Sequence, residues 1–118
     1  MDNIRKDCIF CRITDKDMNS ALVYEDSEIV AFRDIKPVAP VHILIIPKKH
    51  IASLAELTDQ DSALLGRMLL VAKQLAEQEG IAEDGYRVLT NIRDNGGQVV
   101  PHLHFHLIGG RKLAVDIA

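Results

Sequence analysis

Three of the five histidines in this chain lie close together near its end, at alternate positions. On a β-strand, successive side chains point to opposite faces, and every second residue is about 6.6 Å further along. His102, His104 and His106 would then share one face of a strand spanning residues 102–108. The other face of this strand would bury the intervening apolar residues: Leu103, Phe105 and Leu107.

An imidazole can act as nucleophile, acid or base, because its ordinary pKa of about 6.5 lies near neutral pH. Protonation of one imidazole disfavours protonation of its neighbour, so a row can hold a neutral nucleophile beside a protonated, phosphate-binding partner. A metal site is a second interpretation, although this stretch has no nearby carboxylate. A polar face without function is a third. The concentration of ionisable groups favours catalysis.

Cys8 and Cys11 form a second candidate site. A redox pair of this spacing normally begins a helix that follows a strand, and no strand-like run precedes these residues. The spacing suits half of a tetrahedral zinc site, which two distant histidines would complete. Alternatively, the cysteines are small apolar residues in a short helix, with Ile9 and Ile13 facing inward. The residues alone leave both alternatives open.

The rest of the pattern predicts an α+β fold with an antiparallel sheet of about five strands. Alternation and turn residues predict strands at 22–25, 29–33, 41–46 and 86–91, besides the histidine strand. His42 interrupts the apolar strand 41–46, where it could hydrogen-bond one imidazole of the row and fix its tautomer.

One long helix should follow the capping box formed by Thr58 and Asp61, and Gly80 should end it. Its apolar stripe should pack on the sheet. The stripe consists of Leu65, Met68, Leu69, Ala72, Leu75 and Ala76.

The composition fits a single domain over residues 1–118, with 47% apolar and 26% charged residues. The net charge of −3 and the lack of a basic run argue against nucleic-acid binding. No apolar stretch approaches the roughly 20 residues that span a bilayer. The first residues do not resemble a signal peptide, so we expect a cytoplasmic protein without a membrane partner.

An ordered series of blocks resembles the histidine-triad (HIT) family, in its nucleotide-binding branch. The resemblance covers roughly residues 8–112. The blocks read Phe-Arg-Asp-Ile at 32–35, His-Ile-Leu-Ile-Ile-Pro-Lys-Lys-His at 42–50, Asp-Gly-Tyr-Arg at 84–87, Gly-Gly-Gln at 96–98 and His-Leu-His-Phe-His-Leu-Ile-Gly-Gly-Arg at 102–111.

This resemblance implies a HIT-like fold and a homodimer that cleaves nucleoside 5′-phosphoramidates or related nucleoside monophosphate derivatives, with purine nucleotides as ligands. His104 would attack the α-phosphorus, and water would cleave the resulting nucleotidyl-histidine. His106 would donate a hydrogen bond to phosphate or to the departing group. His102 and His42 would orient the nucleophile through a relay. Catalysis would need no cofactor.

The resemblance also implies a nucleotide site. Asp34 would bind both ribose hydroxyls, and the N–H groups near Gly97 and Val99 would hold phosphate oxygens. Well-studied phosphoramidases of the family have a serine where this chain has Val99, so the leaving-group preference is open. The apolar base pocket would be lined by Ile35, Phe32, Leu44 and Ile9, with Asn91 alongside.

Some bacterial members of the family bind structural zinc, and the ligands carried over are Cys8, Cys11, His50 and His102. Three other functions are compatible with the resemblance: a dinucleoside polyphosphate hydrolase, a nucleotide-binding regulatory protein with little catalysis, and a zinc-dependent hydrolase.

Overall fold

The computed structural model describes residues 5, 7–16 and 20–117. Within these residues, five strands form one antiparallel sheet in the order β1-β2-β3-β5-β4, which confirms the predicted α+β architecture. None of the helices in this part of the chain is both long enough and apolar enough to cross a membrane. The elements are α1 (Ile9–Thr14), β1 (Leu22–Glu25), β2 (Ile29–Arg33), β3 (Val41–Pro47), α2 (Ser62–Gln78), β4 (Tyr86–Leu89) and β5 (Phe105–Gly109).

Strand β3 forms the centre of the sheet and is buried along its whole length. It pairs with β2 on one side and with β5 on the other. Its apolar run, which only His42 interrupts, is typical of a strand that is covered on both faces. Helix α2 packs on one face, against Ile43 and Ile45, whereas α1 packs on the other, against Leu44 and Ile46.

Helix α2 begins and ends as predicted. Thr58 and Asp61 form the capping box, in a 3-10 turn directly before the helix. Gly80 has φ 75°, a left-handed conformation that glycine adopts without steric cost. The buried face consists of Met68, Val71, Ala72, Leu75 and Ala76.

Leu69 was wrongly predicted to belong to this buried face, since 44% of it is exposed. Successive residues of an α-helix are rotated by about 100°, which turns Leu69 past the edge of the sheet when Met68 faces its centre. Val71 takes its place in the core.

Helix α1 also differs from the prediction at one position. Ile13 is buried as expected, but Ile9 is 43% exposed. The Cys11 N–H donates to Cys8 Sγ, which makes Cys8 the N-cap and turns Cys11 inward. Ile9 lies about 200° around the helix from Cys11 and therefore faces outward.

Strand β5 starts at Phe105, later than the predicted residue 102. The backbone before it forms a tight turn, in which the His102 N–H donates to the Val100 carbonyl at 2.8 Å. The Leu103 N–H donates to the carbonyl of Ile51, which lies outside the strands, at 2.6 Å. His102 and His104 therefore precede the strand, and only His106 belongs to it. The intervening apolar side chains are nevertheless buried as predicted: Leu103, Phe105 and Leu107.

Candidate active site

The sheet places His42 and His106 side by side. His106 lies opposite Leu44 across β3–β5, and Leu44 lies opposite Phe32 across β2–β3. His42 is two residues before Leu44 and therefore shares its face. The rings of His42 and His106 have centroids 5.2 Å apart, and the rings of His104 and His106 are 5.1 Å apart. Three imidazoles thus line the face that carries α1.

The hydrogen bonds of His42 determine where its proton is. Its Nδ1 accepts the Val38 N–H at 3.2 Å, so that nitrogen is unprotonated. A neutral His42 then carries its proton on Nε2, which lies 2.9 Å from His106 Nδ1 and donates to it. His106 Nδ1 is therefore an acceptor, and the proton of a neutral His106 is on Nε2. The prediction that His42 fixes the tautomer of a neighbouring imidazole fits this geometry, with His106 as the partner.

His104 is oriented by backbone rather than by another imidazole. Its Nδ1 lies 2.7 Å from the His102 carbonyl oxygen, which can only accept a hydrogen bond. His104 therefore carries its proton on Nδ1 and has a lone pair on Nε2. The Thr90 hydroxyl donates to the His104 carbonyl at 2.8 Å, and the Phe10 ring meets the imidazole edge-on with centroids 5.0 Å apart.

The side chains of His42 and His102 do not form the expected relay to His104. His42 bonds His106 instead. The His102 imidazole points away from His104, with Nε2 2.9 Å from the Pro47 carbonyl oxygen. The hydrogen bond between His102 and His104 is made by the carbonyl group of His102 and not by its imidazole.

A carboxylate does lie near the histidine row, although none is close in sequence. Asp34 Oδ2 lies 3.5 Å from His42 Nε2, and one ligand atom each from Asp34, His42 and His106 would suit a metal by distance. Tautomer chemistry opposes such a metal. A metal on His42 Nε2 would require the proton on Nδ1, which instead accepts the Val38 N–H. The carboxylate favours the proton on Nε2.

Burial lowers the pKa of all three histidines in the row. The pKa of His102 falls to about 4, mainly because the side chain is enclosed. The pKa of His106 also falls to about 4, first through burial and then through the neighbouring His104 and His42. Burial lowers the pKa of His104 as well. The row is therefore neutral near pH 7, and His106 donates as a neutral imidazole rather than as the protonated partner envisaged from the sequence.

The four predicted metal ligands lie close together, and His102 belongs both to this cluster and to the histidine row. Cys8 Sγ and Cys11 Sγ lie 3.4 and 3.5 Å from His102 Nδ1, and Cys11 Sγ lies 3.2 Å from His50 Nδ1. Sulfur and nitrogen ligands of a tetrahedral zinc ion lie about 3.5 Å apart. The Pro47 carbonyl holds the His102 proton on Nε2, so that Nδ1 faces the thiols with its lone pair. The donor set and its spacing fit a metal ion such as zinc.

Burial raises the pKa of the Cys11 thiol to about 11. A thiol ligand must lose its proton when a metal binds, so metal binding at this cluster would release protons.

The glycine-rich loop between β4 and β5 uses one of the two expected phosphate donors internally. The Gly97 N–H donates to the Asp94 carbonyl at 3.0 Å. Asn91, expected beside the base pocket, donates from Nδ2 to the Gly96 carbonyl at 2.7 Å and so holds the loop. Val99 is 89% exposed, and its N–H has no hydrogen-bond partner among the described residues.

The residues expected to line the base pocket fall into two pairs. Phe32 and Leu44 are buried neighbours in the sheet, and Phe32 also meets Phe10 with ring centroids 5.5 Å apart. Ile9 and Ile35 are exposed, and Ile35 directly follows Asp34. Phe32 and Leu44 therefore provide a buried apolar floor, whereas Ile9 and Ile35 are exposed apolar side chains.

Sequence reasoning missed four contributors to this site. Phe10 packs against His104, and Thr90 holds its carbonyl. An aromatic residue between two cysteines was the one available signal. The N–H of Val38 and the carbonyl of Pro47 fix imidazole protons, and backbone groups leave no signal in residue identity.

The fold and its row of neutral, backbone-oriented imidazoles define a histidine-dependent catalytic domain on an antiparallel sheet. Comparison with known proteins places the chain in a family: it belongs to the HIT domain family, whose model matches residues 15–113. The chain is 48% identical to the purine nucleoside phosphoramidase of Escherichia coli over 113 residues, covering 96% of this chain and 95% of that protein.

Two solved structures show the same fold. A HIT family hydrolase from Legionella pneumophila superposes with a TM-score of 0.92 at 49% identity, covering 94% of this chain and 99% of that chain. A HIT family hydrolase from Clostridium thermocellum gives a TM-score of 0.93 at 43% identity, covering 97% and 99% respectively.

The lowered pKa of His106 predicts that acid weakens the fold. The unfolded chain protonates this imidazole near pH 6.5, whereas the native protein does so only near pH 4. Between these values the unfolded state binds more protons, so the free energy of unfolding decreases as the pH falls. At pH 5 this one group accounts for a loss of at most about 2 kcal/mol, because solvent screens part of the effect at a side chain that is only partly buried.

Urea unfolding of the wild type and of His106→Gln at pH 7 and pH 5 measures this contribution. The change in the free energy of unfolding between pH 7 and pH 5 should be smaller in the variant by about 1 to 2 kcal/mol, since the other titrating groups are common to both proteins. An equal pH dependence in both proteins would contradict the lowered pKa.

Proposed function

We propose that this protein hydrolyses nucleoside 5′-phosphoramidates, or related derivatives of purine nucleoside monophosphates, through a nucleotidyl-histidine intermediate. Family membership and the similarity to a purine nucleoside phosphoramidase support the reaction class. The single observation that carries the proposal is the bond between His104 Nδ1 and the His102 carbonyl, because it gives His104 a nucleophilic Nε2.

In the first step, the Nε2 lone pair of His104 attacks the α-phosphorus, and the bond from phosphorus to the amine nitrogen breaks. The amine leaves with the bonding electrons and takes a proton from solvent. In the second step, water attacks the same phosphorus and loses a proton to solvent, and the bond to His104 breaks to release the nucleoside monophosphate. The lowered pKa of His104 keeps its lone pair available at and below neutral pH.

His106 acts as a hydrogen-bond donor in this scheme. Its Nδ1 accepts from His42, so its Nε2–H is directed to a phosphate oxygen or to the departing group. A neutral donor supplies a hydrogen bond without a full charge. Preorganised donors of this kind stabilise charge that develops in the transition state.

The nucleoside occupies the apolar floor beside the histidines. Asp34 binds the ribose hydroxyls with its carboxylate, and Val99 offers its N–H to phosphate. Gly97 contributes to phosphate binding only if the loop releases the bond to Asp94. Apolar contacts to the base come from Phe32, Leu44, Ile9 and Ile35, with Asn91 holding the adjacent loop.

Replacement of His104 tests the nucleophile. His104→Ala should lower kcat for adenosine 5′-phosphoramidate by at least about a thousandfold, because no other group forms the covalent intermediate. Adenosine monophosphate should still bind, as measured by calorimetry. Wild-type protein that is quenched in neutral denaturant during turnover should carry a nucleotidyl mass on the peptide that contains His104.

The competing functions give different results in the same assay. Retention of more than about a tenth of wild-type kcat would remove His104 from the nucleophilic role. Preferred cleavage of a dinucleoside polyphosphate in substrate competition would identify that class of hydrolase. Tight nucleotide binding without turnover of either substrate would indicate a regulatory protein.

We further propose that Cys8, Cys11, His50 and His102 hold a structural zinc ion. Four protein ligands close the coordination sphere, so the ion would join distant segments of the chain and would not activate water. Cys8 and Cys11 are free thiols in the structure, and reduced thiols accord with the expected cytoplasmic location.

Protein purified without an affinity tag should contain about one zinc per chain, because tight structural sites are filled on folding. Combined Cys8→Ser and Cys11→Ser substitution should remove the zinc and lower the unfolding temperature. Turnover should survive brief chelation that leaves the fold intact. Less than about 0.2 zinc per chain would favour the interpretation of the cysteines as apolar core residues, and activity restored only by zinc would identify a metalloenzyme.

We also propose that residues 1–118 act as one domain that forms a homodimer through the β4 edge of the sheet. Strand β4 has a sheet neighbour on only one side, and unpaired edges are sites of association. Leu69 and Leu70 are exposed on α2, and Lys73, about one turn further along the same helix, interacts electrostatically with Tyr86 of β4. The partner that suits an open edge and an adjacent apolar patch is a second copy.

Leu70→Lys should convert the dimer to a monomer, because it places a charge in the apolar patch of α2. Leu22→Lys is the matched control, since Leu22 is a partly exposed leucine on β1 at the opposite edge. Light scattering coupled to size-exclusion chromatography measures the mass of each. A monomeric wild type, or dissociation by the control alone, would contradict the proposed interface.

A further inference from the structure

The segment that follows β5 is hydrogen-bonded to the loop between β2 and β3, residues 34–40. Arg111 donates from Nη2 to the Val38 carbonyl at 2.8 Å and from Nη1 to the Lys112 carbonyl at 2.9 Å. The second bond orients the guanidinium, and the first extends across the surface to the loop. Arg111 contacts none of the histidines in the structure.

The preceding residue brings this segment close to the loop. Gly110 has φ 95°, and a Cβ atom there would lie 2.8 Å from Pro40 Cβ. Only glycine permits both the left-handed conformation and the close approach. The backbone therefore reaches the loop at Pro40 and the guanidinium reaches it at Val38.

Val38 uses both of its backbone polar groups. Its carbonyl accepts from Arg111, and its N–H donates to His42 Nδ1. These groups belong to the two peptide planes that meet at the Val38 Cα, so fixing one plane leaves only the two torsions at that atom to reorient the other. Pro37, directly before Val38, has a fixed φ and restricts the loop further.

We infer that Arg111 is a positioning residue for His106, acting through Val38 and His42. Arg111 holds the Val38 carbonyl, and the Val38 N–H keeps the His42 proton on Nε2. That proton is donated to His106 Nδ1, which leaves the proton of His106 on Nε2. The catalytic meaning of this chain of bonds rests on the proposed function, but the bonds themselves do not.

Loss of the Val38 N–H would permit the opposite proton order. His42 could then carry its proton on Nδ1 and accept at Nε2, and His106 would donate from Nδ1. The Nε2 of His106 would become a lone pair, which repels a phosphate oxygen. Asp34 Oδ2, 3.5 Å from His42 Nε2, opposes this reversal because it favours a proton there. Loss of Arg111 should therefore shift the tautomer populations only in part.

Nitrogen-15 labelling of the histidines reads these tautomers directly through long-range proton–nitrogen correlations. Wild-type protein should show only the Nε2–H form of His42 and of His106. Arg111→Met should populate the second form and lower kcat/KM about fivefold to tenfold, which is less than the full effect of a lost charge-assisted hydrogen bond because Asp34 opposes the reversal. Arg111→Lys should recover part of both signals, because an ammonium can also donate to the carbonyl.

Arg67→Met is the matched control. Arg67 binds Asp26 and Glu28 at the β1–β2 turn and makes no contact with the loop at residues 34–40. Its nitrogen spectrum and kcat/KM should match the wild type.

Unchanged histidine nitrogen signals in Arg111→Met, with kcat/KM within about twofold of wild type, would overturn the inference. If Arg111→Met does not fold, Arg111→Gln provides the same spectroscopic comparison. Absence of phosphoramidate turnover in the wild type would reject the proposed function, whereas the nitrogen spectra would still decide the role of Arg111.

Discussion

Hydrogen bonds between imidazoles and the backbone determine what this site can do. A carbonyl oxygen can only accept and an N–H can only donate, so each backbone partner assigns the proton on the ring that it touches. The His102 carbonyl assigns the proton of His104, the Val38 N–H assigns that of His42, and the Pro47 carbonyl assigns that of His102. Because burial keeps His102, His104 and His106 neutral, each of these rings offers one donor and one acceptor in a fixed direction.

Strand β3 makes these assignments possible. It carries His42 among buried apolar residues, ends at the Pro47 carbonyl and pairs with the strand that carries His106. The apolar face under α2 anchors the strand, so the opposite face can carry imidazoles without losing its position. A single strand thus joins the core of the protein, the histidine row and the cysteine cluster.

Most of the fold could be predicted from the sequence because its signals are local. Apolar periodicity located the strands, and Thr58 and Gly80 marked the limits of α2. The errors occurred where burial depended on which way a helix face was turned, or where the backbone conformation depended on hydrogen bonds to distant residues. Leu69 fits the helical period but lies past the edge of the sheet, and residues 102–104 alternate as a strand does while bonding to loops. The approach of Asp34 to His42 depends on strand pairing, which no local pattern encodes.

The side chain and the backbone of His102 have different roles, and this affects how a substitution at this position is interpreted. Its imidazole belongs to the cysteine cluster, whereas the part of it that touches His104 is a peptide carbonyl, which every amino acid possesses. A change of side chain at position 102 leaves the orienting oxygen in the chain. A defect in such a variant would then originate in the cysteine cluster and the packing around it, even though the residue stands first in the triad. Membership of a sequence motif and participation in its chemistry are separate properties at this position.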